Sequence, residues 1–240
     1  AQQAIVGCVE EKDASDEQRQ IQEVNTGIMA VPTAQLHRWV GQLKNDNAQG
    51  EYYLTDLLGL AAHDGVAVVS ADIESDLVQG VNSQEQRAQV ERLYQRRLAS
   101  ELMAAGVQVA DPNRIDIRGR LTAGSEVRID VGCVFEGQVE LGDHVQIGPN
   151  VVLKNVRIEA GARIEAMSHL EDCSVGPRAT IGPFARIRPG SVLAEGSHVG
   201  NFTELKNTRL GPYSKANHLS YLGDAQIGAR VNAGAGTITC

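Results

Sequence analysis

The chain has 240 residues, 42% hydrophobic and 22% charged, with a formal net charge of −8. This balance describes a soluble globular chain with room for one large or two ordinary domains, and it excludes the overall basic footprint of a nucleic-acid-binding protein, although a local basic cluster can still hold a phosphate. No run is apolar or long enough to span a membrane and no signal peptide is visible; Cys8, Cys133, Cys173 and Cys240 are scattered without a CxxC pair, which fits a reducing, cytoplasmic compartment.

Residues 1–82 read as an α/β region. The apolar runs at 28–31 and 66–69 have the look of short buried strands. Between them Thr33 is a candidate N-cap for a helix that puts Leu36, Trp39, Val40 and Leu43 on one face. A second helix is expected over 52–62, with Leu54, Leu57, Leu58 and Ala61 inward. About eighty residues make a thin core, as in the tail of a larger domain.

Residues 83–106 read as a connecting helix. Ser83 and Gln86 have capping-box spacing, Val90, Leu93, Tyr94, Leu98 and Leu102 form an apolar stripe, and Gly106 is a natural stop. Arg87, Arg92, Arg96 and Arg97 decorate the remaining face, and Asp111-Pro112 marks a turn into the last region, 107–240.

That region repeats with a period of six. Ile129, Phe135, Leu141, Ile147 and Leu153 form one run. After a step of five come Ile158, Ile164 and Leu170, and after another Val175, Ile181, Ile187, Leu193, Val199 and Leu205. Two further shifts give Leu210, Ala216 and Leu222, then Ile227, Ala233 and Thr239. A helix repeats at 3.6 and a strand at 2; a hexad is solved by a parallel β-helix with three flat sides per coil. Glycine follows many of the inward residues, as in Leu141-Gly142 and Ile147-Gly148, and is expected at tight corners. The register still runs at Cys240 with no polar cap, and the chain starts at Ala1, so a fragment of a longer protein is expected.

The period also acts as a ruler. Every third inward position puts Phe135, Leu153, Leu170, Ile187, Leu205 and Leu222 on one side, so Glu136, Lys154, Glu171, Arg188, Lys206 and Gly223 project from it. With coils about 4.8 Å apart, Arg188 and Lys206 stack, and two adjacent cations favour a bridging anion such as a phosphate. A solvated ladder continued by Lys154 and Glu171 is the plainer alternative. His218 lies close by in a polar stretch with Lys215 and Tyr221, where a neutral imidazole can accept a proton. His37, His63, His144, His169 and His198 do not form an obvious ligand set.

Four segments of this region carry a resemblance: Ile181-Gly-Pro-Phe-Ala-Arg-Ile-Arg-Pro-Gly190, His198-Val-Gly-Asn-Phe-Thr-Glu-Leu-Lys206, Lys215-Ala-Asn-His-Leu-Ser-Tyr-Leu-Gly-Asp224 and Asn232-Ala-Gly-Ala-Gly-Thr-Ile-Thr-Cys240. With Val9-Glu-Glu-Lys-Asp13, Val24-Asn-Thr-Gly27, the segment 45–56 and Gly80-Val-Asn82, they resemble the bacterial family of bifunctional N-acetylglucosamine-1-phosphate uridyltransferases/glucosamine-1-phosphate N-acetyltransferases. The resemblance implies a nucleotidyltransferase-type α/β remnant (1–82), a linker helix (83–106) and a left-handed parallel β-helix cut short at its C-terminus (107–240). It implies that His218 is the general base, that Arg188, Lys206, Tyr221 and Asn232 hold glucosamine 1-phosphate, and that Ala235 contacts the co-substrate acetyl-CoA. It implies that Glu10, Asn25 and Asn82 bind UDP-N-acetylglucosamine and that Asn82 is a ligand of Mg²⁺ in uridylyl transfer from UTP to N-acetylglucosamine 1-phosphate, a reaction for which this chain alone is incomplete. Homotrimers, with no nucleic-acid or membrane partner, are implied as well, and a role in making precursors of cell wall and lipopolysaccharide. The competing readings are another sugar-nucleotide pyrophosphorylase with a purely oligomerising β-helix, a non-catalytic solenoid, and a hexapeptide metalloenzyme.

Overall fold

A computed structural model describes residues 5–240. The chain divides into two compact units, with the boundary between Asn82 and Ser83.

The first unit is built round a small core. Helix α1 (Thr33–Val40) and helix α2 (Leu57–His63), the latter led in by a 3-10 turn at Leu54–Asp56, bury Trp39, Leu57 and Ala61. Thr33 is the first helical residue rather than the cap. Pro32 stands before it, and no side chain caps the helix. The runs at 28–31 and 66–69 alternate as strands do, since Met29, Val31, Val66 and Val68 pack on the core while Ile28 and Val69 face outward. Neither is paired in a ladder among the described residues, so the two expected strands are not formed. A strand needs a neighbour for its backbone groups, and alternation of side chains alone does not supply one.

The second unit opens with helix α3 (Gln84–Ala104), capped as expected: Ser83 Oγ accepts from the Gln86 N–H at 3.1 Å. Its stripe differs from the expected one. Leu98 and Leu102 pack on the β-helix core, but Tyr94 is 54% exposed and Gln95 is buried in its place. The reason is a hydrogen-bonding need. Gln95 Nε2 donates to the Ile117 carbonyl at 3.0 Å, and the Ile117 N–H donates to Gln95 Oε1 at 2.7 Å. One carboxamide thus supplies both bonds that a preceding coil would give this strand.

Beyond it the chain winds as a left-handed parallel β-helix of hexapeptide repeats. All strand pairs are parallel between successive coils; Arg186 faces Glu204 and Glu204 faces Tyr221, so a coil takes 18 or 17 residues. The 17-residue coils are those with a step of five in the hexad pattern, and the first change, between Glu136 and Val139, produces a local register shift. The expected inward residues from Ile129 to Leu222 are buried, and Ile227 and Ala233 pack against them. Stacking runs Phe135, Leu153, Leu170, Ile187, Leu205, Leu222, as the sequence ruler places it.

Glycine takes left-handed corners as expected at Gly182, Gly190 and Gly196, but most glycines that follow inward residues play a different part. Most left-handed corners are taken by other residues, among them Asn155, Phe184, Phe202 and Leu219. Gly148 and Gly200, which follow inward residues, lack a left-handed φ; a Cβ there would come within 2.9 Å of Ala166 N and 2.0 Å of Asn217 O on the next coil. Close approach of coils, rather than turn conformation, requires glycine at these positions.

Candidate active site

The site residues occupy two adjoining sides of the β-helix and the corner between them. The side carrying Arg186–Ile187, Glu204–Lys206 and Tyr221–Gly223 presents Arg188 and Lys206 from neighbouring coils, with the Arg188 N–H bonded to the Leu205 carbonyl at 2.8 Å. Each cation already has a carboxylate. Arg188 pairs with Glu204 at 2.9 Å, and Lys206 with Asp224 at 3.2 Å. Arg188 and Lys206 stack as expected, and the strand alternation that brings them together also brings Glu204, one coil below Tyr221, and Asp224 at the next corner. Hydrogen bonds from Asn207 and Lys206 hold the Asp224 carboxyl below its ordinary range. Both pairs are solvent-accessible, and exposed pairs contribute little, so an entering dianion can compete for the cations. Further down, Lys154 and Glu171 form their own pair at 2.7 Å, raising the pKa of the amine and lowering that of the acid. That part of the column is a closed ladder.

The adjoining side carries Thr180–Ile181, His198–Asn201, Lys215–His218 and Asn232–Ala233. His218 stands at its end, in register with Asn201 one coil earlier. Its Nδ1 lies 3.0 Å from Asn201 Oδ1. With that oxygen as acceptor, Nδ1 carries the proton and Nε2 keeps a lone pair, the tautomer required of a base. Leu219, in the left-handed region, turns the corner, and Ser220 Oγ clasps the His218 carbonyl at 2.8 Å, so that Tyr221 opens the cationic side three residues later. Asn232 faces Lys215 in register, and the Gly236 N–H bonds the Leu219 carbonyl at 3.1 Å, which sets Ala235 one coil beyond His218. Of the six residues expected at the acetyl-transfer site, His218, Ala235 and Tyr221 flank the Leu219 corner, Arg188 and Lys206 stand toward the far end of the next side, and Asn232 lies at the start of the side that His218 ends. Asn201, Glu204 and Asp224 belong with them and were not singled out from the sequence. The signal for Asn201 was present, since one 17-residue coil back from His218 falls on it.

Along the same corner the side chains of Met167, Phe184, Phe202 and Leu219 are exposed on successive coils, and the two phenylalanine rings stack at 5.4 Å. His198, on the side that bears His218, has its pKa lowered by burial first and then by the nearby charges of Lys215 and His218. Burial pushes the thiols of Cys133 to about 11 and Cys173 to about 12, which leaves them as inert core residues.

In the first unit, two of the quoted motifs meet. Asp13 accepts from Ala48 N at 2.9 Å and from the Tyr53 hydroxyl at 3.2 Å, and Thr55 donates to Glu10 at 3.2 Å. Asn25 is committed to a local turn, its Oδ1 accepting from the Gly27 N–H. Asn82 closes the unit. It offers one carboxamide oxygen, whereas Mg²⁺ takes carboxylates and phosphates as well, and among the described residues no group of three or more His, Cys, Asp or Glu is placed to hold a metal. The residues present do not fit a complete magnesium site. Nor, among the described residues, is any helix long and apolar enough to cross a membrane.

A family profile described as the GMPPB C-terminal domain matches residues 117–233. The bifunctional protein GlmU of Dechloromonas aromatica is 60% identical over 237 residues, 98% of this chain and 52% of that protein. That of Bordetella parapertussis is 59% identical over 241 residues, 100% of this chain and 53% of that protein. The chain is a relative of the bifunctional GlmU proteins. It spans about half the length of the GlmU proteins it matches, and the resemblance read from the motifs extends along nearly all of it. Among solved structures, an N-acyltransferase, AntD, from Bacillus cereus is 18% identical with a TM-score of 0.38, covering 52% of this chain and 78% of its own. A UDP-N-acetylglucosamine acyltransferase from Campylobacter jejuni is 14% identical with a TM-score of 0.31, covering 54% and 68%.

Proposed function

We propose that the β-helix unit transfers an acetyl group from acetyl-CoA to the 2-amino group of glucosamine 1-phosphate. The observation that carries this reading is the arrangement on two adjoining sides: an imidazole with its Nδ1 at Asn201 ends one side, and a phenol followed by two stacked cations stands on the next. The sugar phosphate exchanges with Glu204 and Asp224 for Arg188 and Lys206. Tyr221 and Asn232 orient the ring, and Ala235 borders the acetyl-CoA. The amine attacks in its neutral form, because an ammonium has no lone pair, and His218 Nε2 takes the one proton that the nitrogen sheds as it adds. The nitrogen adds to the thioester carbonyl, the tetrahedral adduct collapses, and the coenzyme leaves as a thiol with the proton returned from His218. One amide is formed and one thioester broken.

In the same reading residues 1–82 are part of a uridyltransferase domain, 83–106 the linker and 107–240 the acetyltransferase domain. The longer protein then makes UDP-N-acetylglucosamine in the cytoplasm as a cell-wall and lipopolysaccharide precursor. Glu10, Asn25 and Asn82 are assigned to its uridyl-sugar product, and Mg²⁺, for which the present residues are insufficient, is given no step. Homotrimerisation is supported by the apolar ridge of Met167, Phe184, Phe202 and Leu219 beside His218, a surface whose exposure a subunit boundary would relieve. A monomer in sedimentation at micromolar concentration would remove the trimer from the reading.

The test uses the full-length protein that carries this chain. His218→Ala should lower acetyl transfer by about 10²–10⁴-fold, the usual worth of a general base, while uridylyl transfer persists. Arg188→Ala should weaken binding of the phosphorylated sugar by about 1.5–3 kcal/mol and leave binding of glucosamine unchanged. Undiminished acetylation by His218→Ala sinks the reading.

A further inference from the structure

Gly223 sits in the outward column directly after Lys206, with which it is in register. Its φ is outside the left-handed region, so its backbone does not call for glycine. Nor does the next coil crowd it as at Gly148, Gly200 and Gly211, where the nearest atoms to an added Cβ are backbone. At Gly223 that Cβ would lie 2.7 Å from Tyr221 Cε1, 2.9 Å from the Tyr221 hydroxyl and 3.1 Å from its Cζ. All three atoms belong to one side chain, two residues away on the same strand. The Gly223 backbone is pinned, since its N–H donates to Thr239 Oγ1 at 3.0 Å and Thr239 Oγ1 donates to its carbonyl at 3.1 Å. A methyl group there would therefore displace the tyrosine ring rather than the strand.

We propose that Gly223 is a positioning residue for the sugar phosphate site: its bare Cα lets the Tyr221 phenol fill the outward slot of the coil beyond Lys206. On the four coils below, that slot holds the charged ends of Lys154, Glu171, Arg188 and Lys206. Glycine replaces a sixth charge with a phenolic hydroxyl borrowed from the neighbouring column. The hydroxyl then stands one coil, about 4.8 Å, from the Lys206 rung, where a sugar attached to a phosphate held by Arg188 and Lys206 comes within its reach. This rests on the acetyl-transfer reading and adds to it the reason for a glycine that the fold itself does not need.

The experiment is a double-variant cycle in the full-length protein with Gly223→Ala, Tyr221→Ala and both together. Gly223→Ala should lower kcat/KM for glucosamine 1-phosphate about tenfold, chiefly through KM, the loss of one hydrogen bond. Its thermal midpoint should shift by less than about 4 °C, as the strand is undisturbed. In the Tyr221→Ala background the same change should cost nothing further. Wild-type kinetics in Gly223→Ala, or losses that multiply in the double variant, would overturn the proposal. So would a crystal structure of Gly223→Ala with the Tyr221 ring unmoved. Absence of acetyl transfer in the wild-type protein is a separate outcome, which removes the functional reading and with it the part of the inference that concerns the sugar.

Discussion

The two units bury their apolar side chains in different ways. The β-helix stacks each inward residue on its counterpart one coil away, so that Leu170 lies between Leu153 and Ile187, all at 0–1% exposure. Among its described residues the first unit fully buries Trp39, Leu57 and Ala61 and leaves Val6, Val24, Ile28 and Val69 more than two-thirds exposed. In a solenoid every core residue repeats one geometric relation. In the small unit each apolar position depends on its own set of neighbours. The same chemical truncation should therefore cost more in the stack, where rigid coils above and below cannot collapse into the gap. Leu170→Ala is expected near the upper end of the usual 2–5 kcal/mol for such a change, and Leu57→Ala near the lower end. Denaturant titrations can separate the two, because Trp39 is the chain's single tryptophan and reports on the first unit, while far-UV dichroism follows the strands. Equal costs would mean that the two cores are packed alike.

This contrast also decides what could be read from the sequence. The hexad fixes phase as well as fold, and phase alone places Arg188 beside Lys206. What it could not supply was the partner of each charge. Glu204 and Asp224 lie in columns that the ruler had not been used to follow, and Asn201 becomes a neighbour of His218 only when the step from an 18- to a 17-residue coil is assigned. In the first unit, period-2 alternation at 28–31 and 66–69 reported correctly which side chains face the core but not whether a ladder forms. The stripe of α3 failed at one position for a related reason. Gln95 is polar, so periodicity assigns it to solvent, yet its burial answers a backbone requirement of Ile117 that no pattern of apolar residues encodes.

That position sharpens the comparison by asking what starts the stack. If α3 stands in for a missing coil, the relevant quantity is the hydrogen bonding of a single residue. Gln95→Leu preserves the volume and the helix but leaves the buried N–H and carbonyl of Ile117 without their partner. The expected cost is about 1–3 kcal/mol, the penalty for an unsatisfied buried polar group. Amide exchange at Ile117 should accelerate by a matching factor while that of Leu170, far along the stack, changes only with global stability. Uniform acceleration along the whole β-helix would show that α3 acts as a general packing element instead.

The smallest effect concerns charge, which stacking also brings into register. His198 faces Lys215 on the next coil and lies near His218, with Glu165 as the opposing charge. Burial first, and then the nearby Lys215 charge, lower its pKa from the ordinary 6.5. Below that value the unfolded chain binds a proton that the folded side chain resists, so this contribution to stability is present above about pH 6.5 and is lost as pH falls from there through the depressed folded value. Melting of the β-helix unit should therefore lose midpoint between pH 7.5 and 5.5, and His198→Gln, which cannot titrate, should lose less over the same interval. At high salt the difference should narrow but persist, because burial, the larger cause, is not screened as the Lys215 charge is. A wild-type and variant pair with the same pH slope would place the acid sensitivity in other groups and leave His198 as a neutral rung of the ladder.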